Sequence, residues 1–264
     1  MVRIAAGLEY DGSRFCGWQT QPGACAVQDA LEVALSQIAC ERIVVASAGR
    51  TDTGVHALGQ VVHFDTAAQR PNSAWVRGVN ALLPDSVAVR WARVVKPIFH
   101  ARFSAQARCY RYLLLNRPTR PGLATGRVGW FHAPLDMLSM QQAAAHLIGK
   151  HDFSAFRAAE CQAKTPVRTI TDLTIQRQND YLILDLRANA FLHHMVRNIV
   201  GALVYVGKGK HPANWVAEVL SGRERKFAAP TFAPDGLYLS GVEYEAHWGL
   251  PSSDEILVEQ SLLL

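Results

Sequence analysis

The 264-residue sequence predicts an α+β protein built from two halves with mainly antiparallel sheets. Three observations lead there. Val2, Ile4, Ala6, Leu8 and Tyr10 alternate with Arg3, Ala5, Gly7 and Glu9, the pattern of a half-buried strand. Val27, Ala30, Leu31, Ala34, Leu35 and Ile38 recur at helical spacing, giving an amphipathic helix of about three turns. Past a polar stretch broken by Pro97, from Lys96 to Ala107, the order of elements roughly repeats without any repeated motif.

The remaining elements follow in order. A glycine-punctuated loop runs from Asp11 to Gly23 and carries Phe15 and Trp18. Short strands are expected from Ile43 to Ala48 and from Gln60 to Thr66. Asn72 or Ser73 can cap a helix reaching about Leu83, and Val87 to Val95 reads as a strand. Cys109 to Asn116 is a strand and Leu135 to Ile148 a helix. Thr169 to Gln176 and Tyr181 to Ala188 form a hairpin around Asn179-Asp180. Helices over Phe191 to Val206 and Pro212 to Leu220 precede a last strand, Leu237 to Tyr244. The domains are thus expected at 1–105 and 106–264. Glu243 and the tail after His247 carry no readable pattern.

A formal net charge of +5, supplied mostly by arginine, favours a polyanionic partner without establishing one. Cys16, Cys25, Cys40, Cys109 and Cys161 are odd in number and show no Cys-x-x-Cys spacing, so they are expected to be reduced thiols. The chain starts on a strand pattern rather than a charged-then-apolar leader, and no apolar run approaches bilayer length. A soluble, cytoplasmic protein is expected. Gly207-Lys208-Gly209 lacks the spacing and the Ser or Thr of a P-loop and reads as a helix end with a basic loop. His193 and His194, being adjacent, are expected to diverge on a helix and share no metal. No Gly-x-Ser-x-Gly elbow is present.

Three clusters carry chemistry. In Gly49-Arg50-Thr51-Asp52-Thr53-Gly54-Val55-His56-Ala57 an acid stands between glycines, and such a loop can aim a short carboxylate into a cleft. The same run also fits an Asp that caps a turn through its own backbone. The helix over Phe191 to Val206 is apolar nearly all round, which buries it, yet it carries Arg197. A buried guanidinium needs an anion. The C-terminal half offers Asp172 and Asp185, and Asp52 from the other half is the preferred partner. A snorkelling arginine is the bland alternative. Third, Arg108-Cys109-Tyr110-Arg111-Tyr112 interleaves aromatic and basic residues on a strand, which suits a stacked nucleobase with its phosphates, although packing alone accounts for one tyrosine.

Together these segments resemble the tRNA pseudouridine synthase A family over most of the chain. The matching motifs are Tyr10-Asp11-Gly12, Phe15-Cys16-Gly17-Trp18-Gln19, Gly49 to Ala57 with Gly59-Gln60-Val61, and Phe99 to Ala105. They continue through Tyr110-Arg111-Tyr112, Phe153-Ser154-Ala155-Phe156, Asn189 to Gly201 and Gly236-Leu237-Tyr238-Leu239. Thr53 departs from the family's usual alanine and Cys109 from a common arginine. The resemblance implies two ferredoxin-like, RRM-like halves joined around a central active-site cleft. It implies isomerisation of uridine to pseudouridine at positions 38, 39 and 40 of the tRNA anticodon stem-loop, by a homodimer that uses no cofactor and no metal.

By the same resemblance Asp52 is catalytic, Tyr110 stacks the base, and Arg197 pairs with the aspartate. Arg50 is a further active-site arginine and Leu237 an apolar residue under the base. The carboxylate either attacks C1′, as in retaining glycosidases, or removes a sugar proton on the way to a glycal. Two other classes compete. A non-catalytic RNA-binding protein leaves Asp52 without a task, and a nucleoside hydrolase requires a second acid that no motif supplies.

Overall fold

The computed structural model describes residues 1–251, which fall into two compact units. The first comprises Met1–Gln106 with the described residues from Tyr238 on, and the second Ala107–Leu237. The first unit holds β1 (Val2–Tyr10), α1 (Val27–Ala39), β2 (Ala46–Ser47), β3 (His56–Thr66) and β4 (Val87–Val95). The second holds β5 (Ala105–Asn116, from Ala107 on), β6 (Gly129–Phe131), α2 (Met137–Ala145) and β7 (Gly149–Asp152). It continues with β8 (Val167–Gln178), β9 (Tyr181–Ala188), α3 (Met195–Gly207) and α4 (Trp215–Gly222). The last strand, β10 (Leu237–Tyr244), follows the second unit in sequence but groups with the first from Tyr238.

The strand pairing within each unit is mostly antiparallel, as the sequence predicts. In the first unit the order is β4-β1-β3-β10, with β2 added beside β3. β1 pairs antiparallel with β3 from Val2↔Thr66 to Tyr10↔Ala57, and with β4 from Arg3↔Val95 to Tyr10↔Val87. β10 runs parallel to β3, with Tyr238 opposite His56. In the second unit the order is β5-β9-β8-β7, and β6 lies parallel beside β5.

Burial follows the helical period on α1, whereas β1, expected to be half-buried, is buried on both faces from Ile4 to Leu8. On α1, Val27, Leu31, Ala34, Leu35 and Ala39 are buried, and the strands contribute Ile4, Leu8, Val62, Phe64 and Val89 to the buried core. Each such Leu or Ile withdrawn from water is worth about 1.5–3 kcal/mol. In the second unit Tyr112, Leu114, Leu184, Ile170, Met140, Ile199 and Leu203 are essentially inaccessible. The mean pattern of α3 holds: apart from Arg197 and Tyr205, every residue from Met195 to Gly207 is buried.

Several boundaries differ for identifiable reasons. The helix expected from Phe191 begins only at Met195, because His194 sits in the left-handed region at φ 60°. Phe191 and Leu192 are apolar for other contacts: Phe191 meets the Tyr110 ring edge-on at 5.0 Å, and Leu192 is buried. The two imidazoles of His193 and His194 do not diverge; their centroids lie 4.0 Å apart. α2 starts late because Asp136 caps it, accepting from the Leu138 N–H at 3.0 Å. Ser73 caps nothing; it is already helical and leads into a π-helical turn, Ala74–Gly78.

The cysteine expectation is corrected. Cys16 and Cys25 are joined in a disulfide with Cα atoms 5.5 Å apart, closing the loop between β1 and α1. Cys16 N–H also donates to the Cys25 carbonyl at 2.9 Å, so the backbone brings the two together. Cys40, Cys109 and Cys161 are in no disulfide. Thiol titration of the denatured, unreduced protein should therefore count three groups, against five after reduction.

Candidate active site

The Asp52 loop is held by backbone and side-chain contacts from residues remote in sequence. It leaves the short strand β2 and returns into β3, and its turn closes through the Val55 N–H and the Asp52 carbonyl at 3.1 Å. The Tyr10 hydroxyl and Thr51 Oγ1 share a buried hydrogen bond of 2.8 Å. Gln60, completely buried, donates from Nε2 to the Gly49 carbonyl at 2.7 Å. Trp18 N–H donates to the Thr51 carbonyl at 3.0 Å. Gly12 N–H donates to His56 Nδ1 at 3.1 Å, and the His56 ring stacks on Tyr238 at 4.6 Å. Each buried bond contributes on the order of 1 kcal/mol, so the loop geometry is set before any substrate arrives.

Two glycines let the neighbouring loop come this close. Gly17 has φ +98°, and a Cβ there would sit 2.8 Å from the Thr51 carbonyl oxygen and 3.1 Å from the Asp52 carbonyl carbon. A Cβ on Gly12 would collide with the Val55 carbonyl. Burial pushes the Tyr10 phenol up to about 12, against the opposing effect of its bonds to Thr51 and Gln60. Tyr10 is therefore a neutral clamp throughout the physiological range. On this platform Asp52 is half-buried and Arg50 is exposed two residues upstream.

The second unit carries the other three residues. Tyr110 lies on β5, buried, with Phe191 against its edge. Arg197 lies in the first turn of α3, half-buried, with Nε donating to the Phe232 carbonyl at 2.9 Å. Phe232 N–H returns a bond to the Arg197 carbonyl at 3.2 Å. Leu237 is buried, its N–H on the Pro234 carbonyl. The segment between Phe232 and Leu237 ties these together. The Phe232 ring meets Tyr112 edge-on, the Tyr112 hydroxyl donates to the Ala233 carbonyl at 2.9 Å, and Leu113 N–H donates to the Gly236 carbonyl.

Tyr112 is thus the tyrosine explained by packing, and burial pushes its phenol far up, with Asp235 adding to the effect. Asp185, one of the two acids weighed for Arg197, is taken by Arg111: the register places them opposite each other, with bonds of 2.8 and 3.0 Å. Asn198, which no sequence argument singled out, is wholly buried. It anchors the start of α3 by donating to the Phe156 carbonyl and accepting from Arg225 and Thr231.

The family profile described as tRNA pseudouridine synthase matches residues 6–104 and 143–245, reaching into both units. The chain belongs to the tRNA pseudouridine synthase family. It is 61% identical over 255 residues to the tRNA pseudouridine synthase A of Thiobacillus denitrificans, covering 97% of this chain and 98% of that one. It is 59% identical over 256 residues to the protein of the same name from Methylobacillus flagellatus, again covering 97% and 98%. The counterpart from Dechloromonas aromatica is 56% identical over 261 residues, 99% of this chain and 100% of the other. The synthase is an isomerase by family, and a non-catalytic RNA-binding role is not favoured. Among the described residues no helix is long and apolar enough to cross a membrane.

Proposed function

We propose that this synthase converts uridine to pseudouridine at positions 38, 39 and 40 of the tRNA anticodon stem-loop, with Asp52 as the catalytic group. The observation that carries the reading is the clamped loop, which presents one carboxylate on a scaffold built from Tyr10, Gln60, Trp18 and Gly17. A merely turn-capping aspartate does not call for such a frame.

The reaction breaks the N1–C1′ bond, turns the uracil in place and forms a C5–C1′ bond. The C5 proton leaves and N1 gains one, so atoms balance without a redox partner. The target nucleotide must leave its stack, at a cost of a few kcal/mol, and Tyr110 offsets that by offering its ring. Arg197 supplies the cation that pairs with the Asp52 carboxylate. Arg50 holds the extruded nucleotide's phosphate, and Leu237 lies under the base. Asp52 acts at C1′ as nucleophile or on the sugar proton as base; both need the ionised form. The working enzyme is a cytoplasmic homodimer with the tRNA lying across both subunits.

The test is nucleoside mass spectrometry with carbodiimide mapping of tRNA from cells lacking the protein. Pseudouridine at positions 38–40 should vanish and return with the wild-type chain. Unchanged modification there, with loss elsewhere, would refute the assignment of site.

A further inference from the structure

The loop that the sequence reads only as a basic helix end has a built structure of its own. α3 finishes by wrapping its last carbonyls: Lys208 N–H donates to the Val204 carbonyl, Gly209 N–H to Val206 and Lys210 N–H to Tyr205. That wrap returns both lysines to one aromatic ring. The Lys208 and Lys210 ammonium groups each lie 4.2 Å from the centroid of Tyr205. Lys208 is also 5.9 Å from the Phe131 centroid. The Tyr205 ring is followed by a stack: His211 lies 4.1 Å from Trp215 at an interplanar angle of 11°, and both rings are within about 25° of parallel to Tyr205. Lys208, Gly209 and Lys210 are exposed, and the three rings are half-exposed.

The nearby carboxylates are engaged elsewhere. Glu218 accepts from Asn214 at 3.0 Å, and Asp136 from Leu138 N–H and the Ser139 hydroxyl. Among the described residues, neither ammonium has a carboxylate in ion-pair range. A single ring attracts a cation only weakly at an exposed site, and the two like charges oppose each other. Their shared placement over one ring creates a local positive potential that an external anion relieves. Uncompensated lysines beside exposed aromatic faces fit a nucleic acid strand, whose phosphates meet the cations and whose bases can stack on the rings.

We propose that this corner, Lys208 and Lys210 over Tyr205 with His211 and Trp215 beside it, grips the phosphate backbone of the substrate tRNA away from the reacting nucleotide. α3 sets the spacing. Arg197 and Lys208 are eleven residues apart on one helix, or about 16 Å along its axis at ~1.5 Å per residue. The inference rests on the proposed role of Arg197 for its placement on the RNA, but not for the binding itself.

The test is equilibrium binding of an unmodified tRNA transcript to the full-length Lys208→Ala/Lys210→Ala enzyme across 50–200 mM KCl. The dissociation constant should rise about tenfold at 150 mM. The slope of log affinity against log salt should fall by about 1.4–1.8, two phosphates at 0.7–0.9 each. The Lys208→Arg/Lys210→Arg enzyme should keep the wild-type slope, and the single-turnover rate at saturating tRNA should stay wild-type in both. An unchanged slope, a loss shared by the arginine variant, or a slower saturated rate would overturn the proposal. Asp52→Asn separates the two readings: normal turnover in that variant would refute the proposed catalysis while leaving the salt slope of the lysine variants to stand or fall by itself.

Discussion

Replacing Asp52 with asparagine should leave tRNA affinity within about twofold of wild type and lower the rate of pseudouridine formation by at least about 10⁴-fold. The change keeps the size of the side chain and its ability to accept a hydrogen bond. It removes the negative charge that either route to bond cleavage demands. A loss of 10⁴ corresponds to about 5.5 kcal/mol in the transition state, far more than a misplaced hydrogen bond would cost. Tyr10, Gln60 and Trp18 hold the loop by Thr51 and Gly49, not by the Asp52 carboxylate. The variant should therefore fold normally, and the loss should lie in turnover rather than in binding.

Arg197→Ala should cost both activity and stability. The side chain donates to the Phe232 carbonyl from the first turn of a helix whose other residues, Tyr205 apart, are buried. Truncation leaves that carbonyl short of a donor, at about 1–3 kcal/mol, and on the proposed pairing strips the catalytic carboxylate of its cation. Turnover is expected to fall by about 10³-fold, with a lower thermal midpoint. Arg197→Lys separates the two effects. It retains charge but not the planar fork, so it should recover most of the stability and only part of the rate. Arg197→Ala protein that is folded and fully active would mean that the pair does not exist.

The sequence made the strands and the candidate residues legible where local pattern and local structure agree. β9 alternates cleanly and spans Tyr181–Ala188 as expected, whereas β1 lies where its pattern places it but is buried on both faces from Ile4 to Leu8. The Asp52 loop announced itself through its glycines. What holds that loop did not. Tyr10 and Thr51 are 41 residues apart and Gln60 reaches back to Gly49, contacts that only the register of β1 on β3 creates. The Arg111–Asp185 pair was hidden for the same reason, since a single strand does not show what lies opposite it. β7, with the sequence Gly149–Asp152, has no apolar alternation at all because it is an edge strand, and β6 is three residues long. The Cys16–Cys25 bond was invisible because a separation of nine residues says nothing without the turn that brings the two backbones together. α3 looked a turn longer than it is because Phe191 and Leu192 serve the core from outside the helix.

The most direct test of the central claim is single-turnover release of tritium from tRNA carrying [5-³H]uridine at positions 38–40, with wild-type and Asp52→Asn enzyme in excess. Forming the C5–C1′ bond must expel that hydrogen, so the wild type should release one equivalent per modified site. The Asp52→Asn enzyme, though saturated with tRNA, should release none above background. Tritium release by the variant at a rate near that of the wild type would contradict the account.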